Sequence, residues 1–152
     1  MVVPHVSLTA ETTEDEAKGL LDQLNAQGAG GGLADRMGIA FTGIGFDWMS
    51  ATVPVAGNTQ PMGLFHGGGH VVLAESLASM HAFLTSGGKN VVGVDLNATH
   101  LRAMRGELVT GRAEVLHRGR TLMSHEVRMT DEEGRLLSVV RITNMILASK
   151  AQ

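Results

Sequence analysis

The sequence predicts an α+β fold in which a curved antiparallel β-sheet wraps around one long central helix, with an extra helix at the N-terminus. Three observations carry this. Residues from Gly68 to about Thr85 form a nearly continuous apolar stretch of helical character that stops at Ser86-Gly87-Gly88. Four later segments alternate apolar and polar residues with period two. The remaining segments read as one helix and two strands placed before the long helix. A helix this apolar needs cover nearly all round, and a sheet curving over it supplies that cover. One edge of such a sheet stays open to a second copy of the chain. The 152 residues suffice for a single sizeable core.

Residues 1–10 carry no periodic pattern. Thr13 and Glu16 fit a capping box, and Leu20, Leu21 and Leu24 give an amphipathic stripe to about Ala26. Gly28-Ala29-Gly30-Gly31-Gly32 reads as a flexible hinge, so residues 1–32 are expected to be an extension and 33–152 the main domain. Strands are expected near Ile39–Ile44 and Met49–Val55, with Pro54 marking a strand end or edge because it has no N–H for a ladder. Gly57-Asn58-Thr59-Gln60-Pro61 is turn chemistry. After the long helix, Val92, Val94, Leu96 and Ala98 alternate with polar or small residues. Val109 to Val115 and Met123 to Met129 do the same, and a last strand runs from about Leu136 to Leu147. Asp131-Glu132-Glu133-Gly134 and His117-Arg118-Gly119-Arg120 suit hairpin connections.

Composition narrows the function. The net charge of −3 gives no reason to expect a nucleic acid or an acidic membrane as partner. With no cysteine, disulfides, thiol nucleophiles and zinc–thiolate sites are excluded. No apolar run approaches the roughly 18 residues of a membrane helix, and the first residues lack the pattern of a signal peptide. A cytoplasmic location is the expectation. His70 and His81 share a helix without a trusted metal-ligand spacing, so no metal is expected. Eight of the twelve lysines and arginines fall between Arg102 and Arg141, which offers cations to an anionic ligand or simply solvates strands.

The chemistry concentrates in Gln60 to Ser79. His66-Gly67-Gly68-Gly69 puts bare backbone N–H groups at a helix start, where unpaired amides and summed peptide dipoles favour negative charge. Glu75 lies further along the same helix among Val71, Val72, Leu73, Ala74, Leu77 and Ala78, where a buried carboxylate is costly without partners. A carboxylate and an anion-stabilising amide on one element suit acyl transfer to water. Ser79 is one turn beyond Glu75 and shares its face.

The pattern Gln60, Gly63, His66, Gly67, Gly68 and Glu75 resembles the hotdog-fold acyl-CoA thioesterases. The similarity is to the branch of the 4-hydroxybenzoyl-CoA and phenylacetic-acid-degradation-type enzymes and spans about residues 33–148. Many of the latter carry Asn and Asp where this chain has Gln60 and Glu75, so the Gln/Glu pair looks more like one 4-hydroxybenzoyl-CoA type. Ser79 keeps the hydroxyl that this type supplies with a threonine. The resemblance implies hydrolysis of an acyl- or aryl-CoA thioester to free acid and coenzyme A, with no cofactor beyond the coenzyme A of the substrate. It implies that the Gly67 N–H polarises the carbonyl, and that Glu75 acts as nucleophile or general base. Gln60 would bond the thioester or the water, Ser79 would hold the water or orient the carboxylate, and His66 would cap the loop. Gly68 belongs to the same cradle. Asn97 and Thr99 would line the site from a neighbouring subunit, and Arg102, Arg118 and Arg120 would pair with phosphates. A homodimer or a dimer-of-dimers tetramer is expected. The alternatives are a hotdog-fold enoyl-CoA hydratase or dehydratase, and a non-catalytic acyl-CoA binder.

Overall fold

The computed structural model describes residues 7–28 and 31–148. Residues 1–6 of the irregular start, and Ala29 and Gly30 of the glycine run, lie outside the described residues. The elements in chain order are α1 (Glu14–Ala26), α2 (Gly31–Met37), β1 (Ala40–Gly45), β2 (Trp48–Pro54), α3 (Gly67–Thr85), β3 (Val91–His100), β4 (Leu108–Arg118), β5 (Leu122–Thr130) and β6 (Leu136–Ile146). The strands form one six-stranded sheet in the order β1-β2-β4-β5-β6-β3, every pair antiparallel. The expected hotdog arrangement is present, with α3 packed against β2, β3, β4, β5 and β6. No helix among the described residues is long and apolar enough to cross a membrane.

α3 is helical because its interior holds Leu, Ala, Met and Val without proline, with a cap at each end. His66 caps the start, and Ser86 closes the other end by donating its N–H to the Ala82 carbonyl. Gly87 follows at φ +76°, a conformation glycine adopts without a Cβ penalty. Leu73, Ala74, Leu77, Ala78, His81 and Ala82 form the buried stripe of the helix. They meet Met49, Ala51, Val53, Val109, Ala113, Val127, Met129, Val140 and Ile142 from the sheet. Gly111 lies directly under this stripe, where a Cβ would come within 3.0 Å of both Leu73 and Leu77. Truncating Leu77 to alanine would cost about 2–5 kcal/mol at so dense a contact.

Two features depart from the sequence reading. The glycine run leads directly into the short helix α2, so the boundary expected between residues 32 and 33 falls inside a helix. Asn58 fixes the end of α2 by donating to the carbonyls of Met37 and Pro54, at 2.8 and 2.9 Å. Helix α1 has the expected capping box, and it packs on β1. Asn25 bonds both the carbonyl and the N–H of Phe41, so a side chain satisfies part of the sheet's first edge. The second departure is in β3, where the expected alternation changes phase at a bulge between Gly93 and Asp95. Leu96 and Ala98 pack on the core, while Val92 and Val94 are 44% and 50% exposed. β3 is the other edge of the sheet, and its free rim carries these valines.

Candidate active site

The start of α3 is held by its own loop. Phe65 donates its N–H to the Met104 carbonyl, and His66 donates to the Asn58 carbonyl, both at 2.9 Å. The His66 side chain accepts the Gly68 N–H on Nδ1 at 2.9 Å, so His66 is the helix N-cap. The Gly69 N–H goes to the His66 carbonyl at 2.8 Å. Gly67 N–H has no partner among the described hydrogen bonds. It faces a cleft of about 330 Å³ lined by Gln60, Phe65, Gly67, His70, His100 and Arg102. Glycine is needed at 67 for space, since a Cβ there would lie 2.9 Å from His100 Nε2. Gln60 is fixed in its turn, its Oε1 accepting the Met62 N–H at 2.8 Å.

Two histidines of this cleft were not anticipated from the sequence. His100 bonds the Ser138 hydroxyl through Nδ1 at 3.0 Å, and that hydroxyl donates to the Thr99 carbonyl at 3.1 Å. The single hydroxyl proton is thereby used. Nδ1 of His100 must then be the donor, and the ring's Nε2 stands beside Gly67. His70 is 3% exposed, and burial pushes its pKa down to about 4, with His100 adding to the effect. It stays neutral at pH 7, edge-on to Phe65 at 4.8 Å.

Glu75 faces a different space. It lines an apolar groove of about 540 Å³ with Leu33, Val72, Ser79, Met80 and Phe83. The sequence suggested a carboxylate buried along the helix, but the core stripe lies on the other side of α3 and Glu75 is exposed in the single chain. It has no partner among the described hydrogen bonds and ion pairs. Its Oε1 stands over Gly93 of β3, 3.0 Å from where a Cβ would be. Ser79 donates its hydroxyl to Asn144 Oδ1 at 3.0 Å.

The remaining expected residues divide. Asn97 and Thr99 are exposed on β3, outside the lining of the Gly67 cleft, and Arg102 lines that cleft. Gly68 carries the cap bond and borders a neighbouring depression with His66 and Asn58. Arg120 is exposed in the β4–β5 turn. Arg118 is committed elsewhere: its guanidinium donates to the Phe46 carbonyl, stacks 3.7 Å over the Phe46 ring and pairs with Asp47 at 3.1 Å. It locks the β1–β2 turn, so the expected phosphate role does not fit its geometry.

The profile of the Thioesterase superfamily matches residues 62–138. The chain is 43% identical over 129 residues to the 1,4-dihydroxy-2-naphthoyl-CoA hydrolase of Escherichia coli (strain K12), covering 84% of this chain and 94% of that enzyme. It is 40% identical over 129 residues to the proofreading thioesterase EntH of Cronobacter sakazakii, covering 84% and 93%. Among solved structures, the thioesterase HI1161 of Haemophilus influenzae superposes with a TM-score of 0.81 at 36% identity, over 87% of this chain and 93% of that one. The chain therefore belongs to the thioesterase superfamily. Its enzyme class is thioester hydrolase.

Proposed function

We propose that the protein hydrolyses an apolar or aromatic acyl-CoA thioester to the free acid and coenzyme A, as a homodimer whose two chains share each site. The observation that carries this reading is the unpartnered Glu75 carboxylate in an apolar groove, on the same helix whose first amide, Gly67 N–H, is also free. Eight residues of α3 separate the two by about 12 Å along the helix axis, and they open into different spaces. One chain alone cannot bring both to a single carbonyl.

The free rim of β3 supports a second chain as the remedy. Glu75 stands over Gly93 near one end of β3, and Gly67 stands against His100 at the other. Antiparallel pairing of β3 with a copy of itself exchanges these ends, bringing Glu75 of one chain towards Gly67 of the other. The exposed Val94 is an apolar contact such pairing would cover. Asn97 and Thr99 then line the shared site.

The chemistry follows from the two groups. The thioester oxygen accepts the Gly67 N–H, which stabilises the charge that develops there. Glu75 either takes a proton from the attacking water or attacks the carbonyl itself. The tetrahedral adduct collapses, the C–S bond breaks and the thiolate leaves and is protonated by solvent; where Glu75 is the nucleophile, water then hydrolyses the mixed anhydride, releasing the free acid and regenerating the carboxylate. The Leu33, Val72, Met80 and Phe83 groove receives the acyl group, and the name of the Escherichia coli relative supports an aromatic one. The Gln60–Glu75 pair supports placement in the 4-hydroxybenzoyl-CoA branch. Arg102 and Arg120 are free to meet the phosphates. The reading extends to a cytoplasmic enzyme whose dimers pair into tetramers. An exposed cross-strand row of Val92, Met145 and Leu122 on the sheet supports such a second contact.

The test is thiol release from a panel of aryl- and aliphatic acyl-CoA thioesters. Wild type should release thiol, and Glu75→Ala should lower turnover by about 10²–10⁴-fold, the range for an acid–base group. No release from any thioester, or full turnover in folded Glu75→Ala, would overturn the reading.

A further inference from the structure

Asn144 lies on β6 in the inward phase Ser138, Val140, Ile142, Asn144 and Ile146, directly opposite Gly93 of β3. Its exposure is 0%, and a polar amide in that apolar phase needs a reason. Its Oδ1 accepts the Ser79 hydroxyl at 3.0 Å, while Nδ2 is buried without a hydrogen-bond partner. The amide and the Glu75 carboxylate both border Gly93. Glu75 Oε1 and Asn144 Oδ1 lie 3.0 and 3.9 Å from the point a Gly93 Cβ would occupy. Gly93 thus leaves room for both oxygens over one residue. A buried, half-satisfied amide costs stability, and its place beside Gly93 and Ser79 ties it to the site.

We infer that Asn144 is a positioning residue that makes Ser79 an acceptor for the hydrolytic water. The inference rests on the thioester-hydrolase reading of Glu75. A serine hydroxyl has one proton and two lone pairs. The bond to Asn144 takes the proton, so the lone pairs are what Ser79 offers to the groove. Glu75 and Ser79 are four residues apart on one helix face, about 5–6 Å between Cβ atoms, a span one water bridges with two hydrogen bonds. Such a water gives one proton towards the carboxylate and the other towards Ser79 Oγ, leaving an oxygen lone pair free for the carbonyl carbon. Attack forms the C–O bond as Glu75 takes the proton, and Ser79 keeps its own. Without Asn144 the hydroxyl turns to donate, either to the Glu75 carboxylate or to the Glu75 backbone carbonyl one turn back. The first weakens the base, and both turn the Ser79 lone pairs away from the place where they orient the water.

The test measures kcat and KM for thiol release in wild type, Asn144→Leu, Ser79→Ala and the double variant, with thermal unfolding of each. Leucine keeps the branching of asparagine at Cγ and removes the acceptor. The expected result is a kcat about tenfold or more lower in Asn144→Leu with KM within about twofold. In the Ser79→Ala background the same change should add less than about twofold, because the two residues act as one unit. Asn144→Ala, which forces no new bulk against Gly93, replaces Asn144→Leu if the latter does not fold. An unchanged kcat in a folded variant, or a full additive loss on top of Ser79→Ala, overturns the role of Asn144. Either result leaves wild-type thiol release intact, whereas its absence would sink the function itself.

Discussion

Gly67→Ala replaces one hydrogen with a methyl group, and the structure says what that methyl meets. The new Cβ would lie 2.9, 3.3 and 3.6 Å from Nε2, Cδ2 and Cε1 of His100. The first distance is below any ordinary Cβ contact, so the ring or the helix start must move. The ring is tethered, since Nδ1 bonds a Ser138 hydroxyl that is itself fixed on the Thr99 carbonyl. The cleft over the Gly67 N–H therefore narrows, and a substrate oxygen is held off the amide. A displacement of about 1 Å can cost about 10²-fold, and full loss of an oxyanion donor costs about 10²–10³-fold in kcat. Stability should move little. Alanine in a helix is favoured over glycine by up to about 1 kcal/mol, which offsets part of an overpacking cost of about 1–3 kcal/mol. The assay is steady-state thiol release beside a thermal melt. Turnover should fall by about two orders of magnitude while the midpoint moves by only a few degrees. A Gly67→Ala enzyme with wild-type kcat/KM would refute the placing of the carbonyl at this amide.

Other predictions follow from the same structure. Val94→Asp places a charge on the free rim of β3 and should convert the dimer to monomer with parallel loss of activity, read by analytical ultracentrifugation; an active monomer would contradict the shared site. His125 is wholly buried, one nitrogen bonded to His81 at 2.9 Å and the other without a partner. Burial, with His81 and Arg118 nearby, pushes its pKa down to about 3 from 6.5. The unfolded chain takes up a proton below pH 6.5 while the folded one does not. Its contribution is therefore intact above that pH and is lost as pH falls towards 3, at about 1.4 kcal/mol per pH unit. Urea unfolding followed through Trp48 should show His125→Met with a shallower stability slope between pH 6.5 and 5; identical slopes would contradict this. Asn25→Ala should destabilise the β1 edge by about 1–3 kcal/mol through the unpaired Phe41 groups, and full stability in urea would show α1 to be merely apposed.

What the sequence disclosed was what repeats or punctuates. The period-two runs of β4 and β5, the glycine stop after α3 and the capping box of α1 were all legible, because each is a local signal with a local cause. The groups at the helix start were legible for the same reason, as His66-Gly67-Gly68-Gly69 names both the cap and the free amide. Helix α2 was hidden because its two leading glycines are poor helix formers, and tertiary contact with α3 and the Asn58 clamp override that propensity. The bulge in β3 was hidden because its valines suit a buried strand equally well. Asn144 and His125 did leave a signal, a polar residue in a mostly apolar inward phase. Arg118 left none, since its bond to the β1–β2 turn joins residues more than seventy positions apart.

The central claim is that one chain's Glu75 works with another chain's Gly67, and a mixing experiment addresses it directly. Glu75→Ala and Gly67→Val, each inactive alone, are co-expressed under separate tags and the heterodimer is purified. A shared site leaves the heterodimer with one site carrying both substitutions and one carrying neither, so thiol release should recover to about half the wild-type rate per dimer. Release that stays at the level of the parent variants would place both groups in a single chain's site and contradict the account.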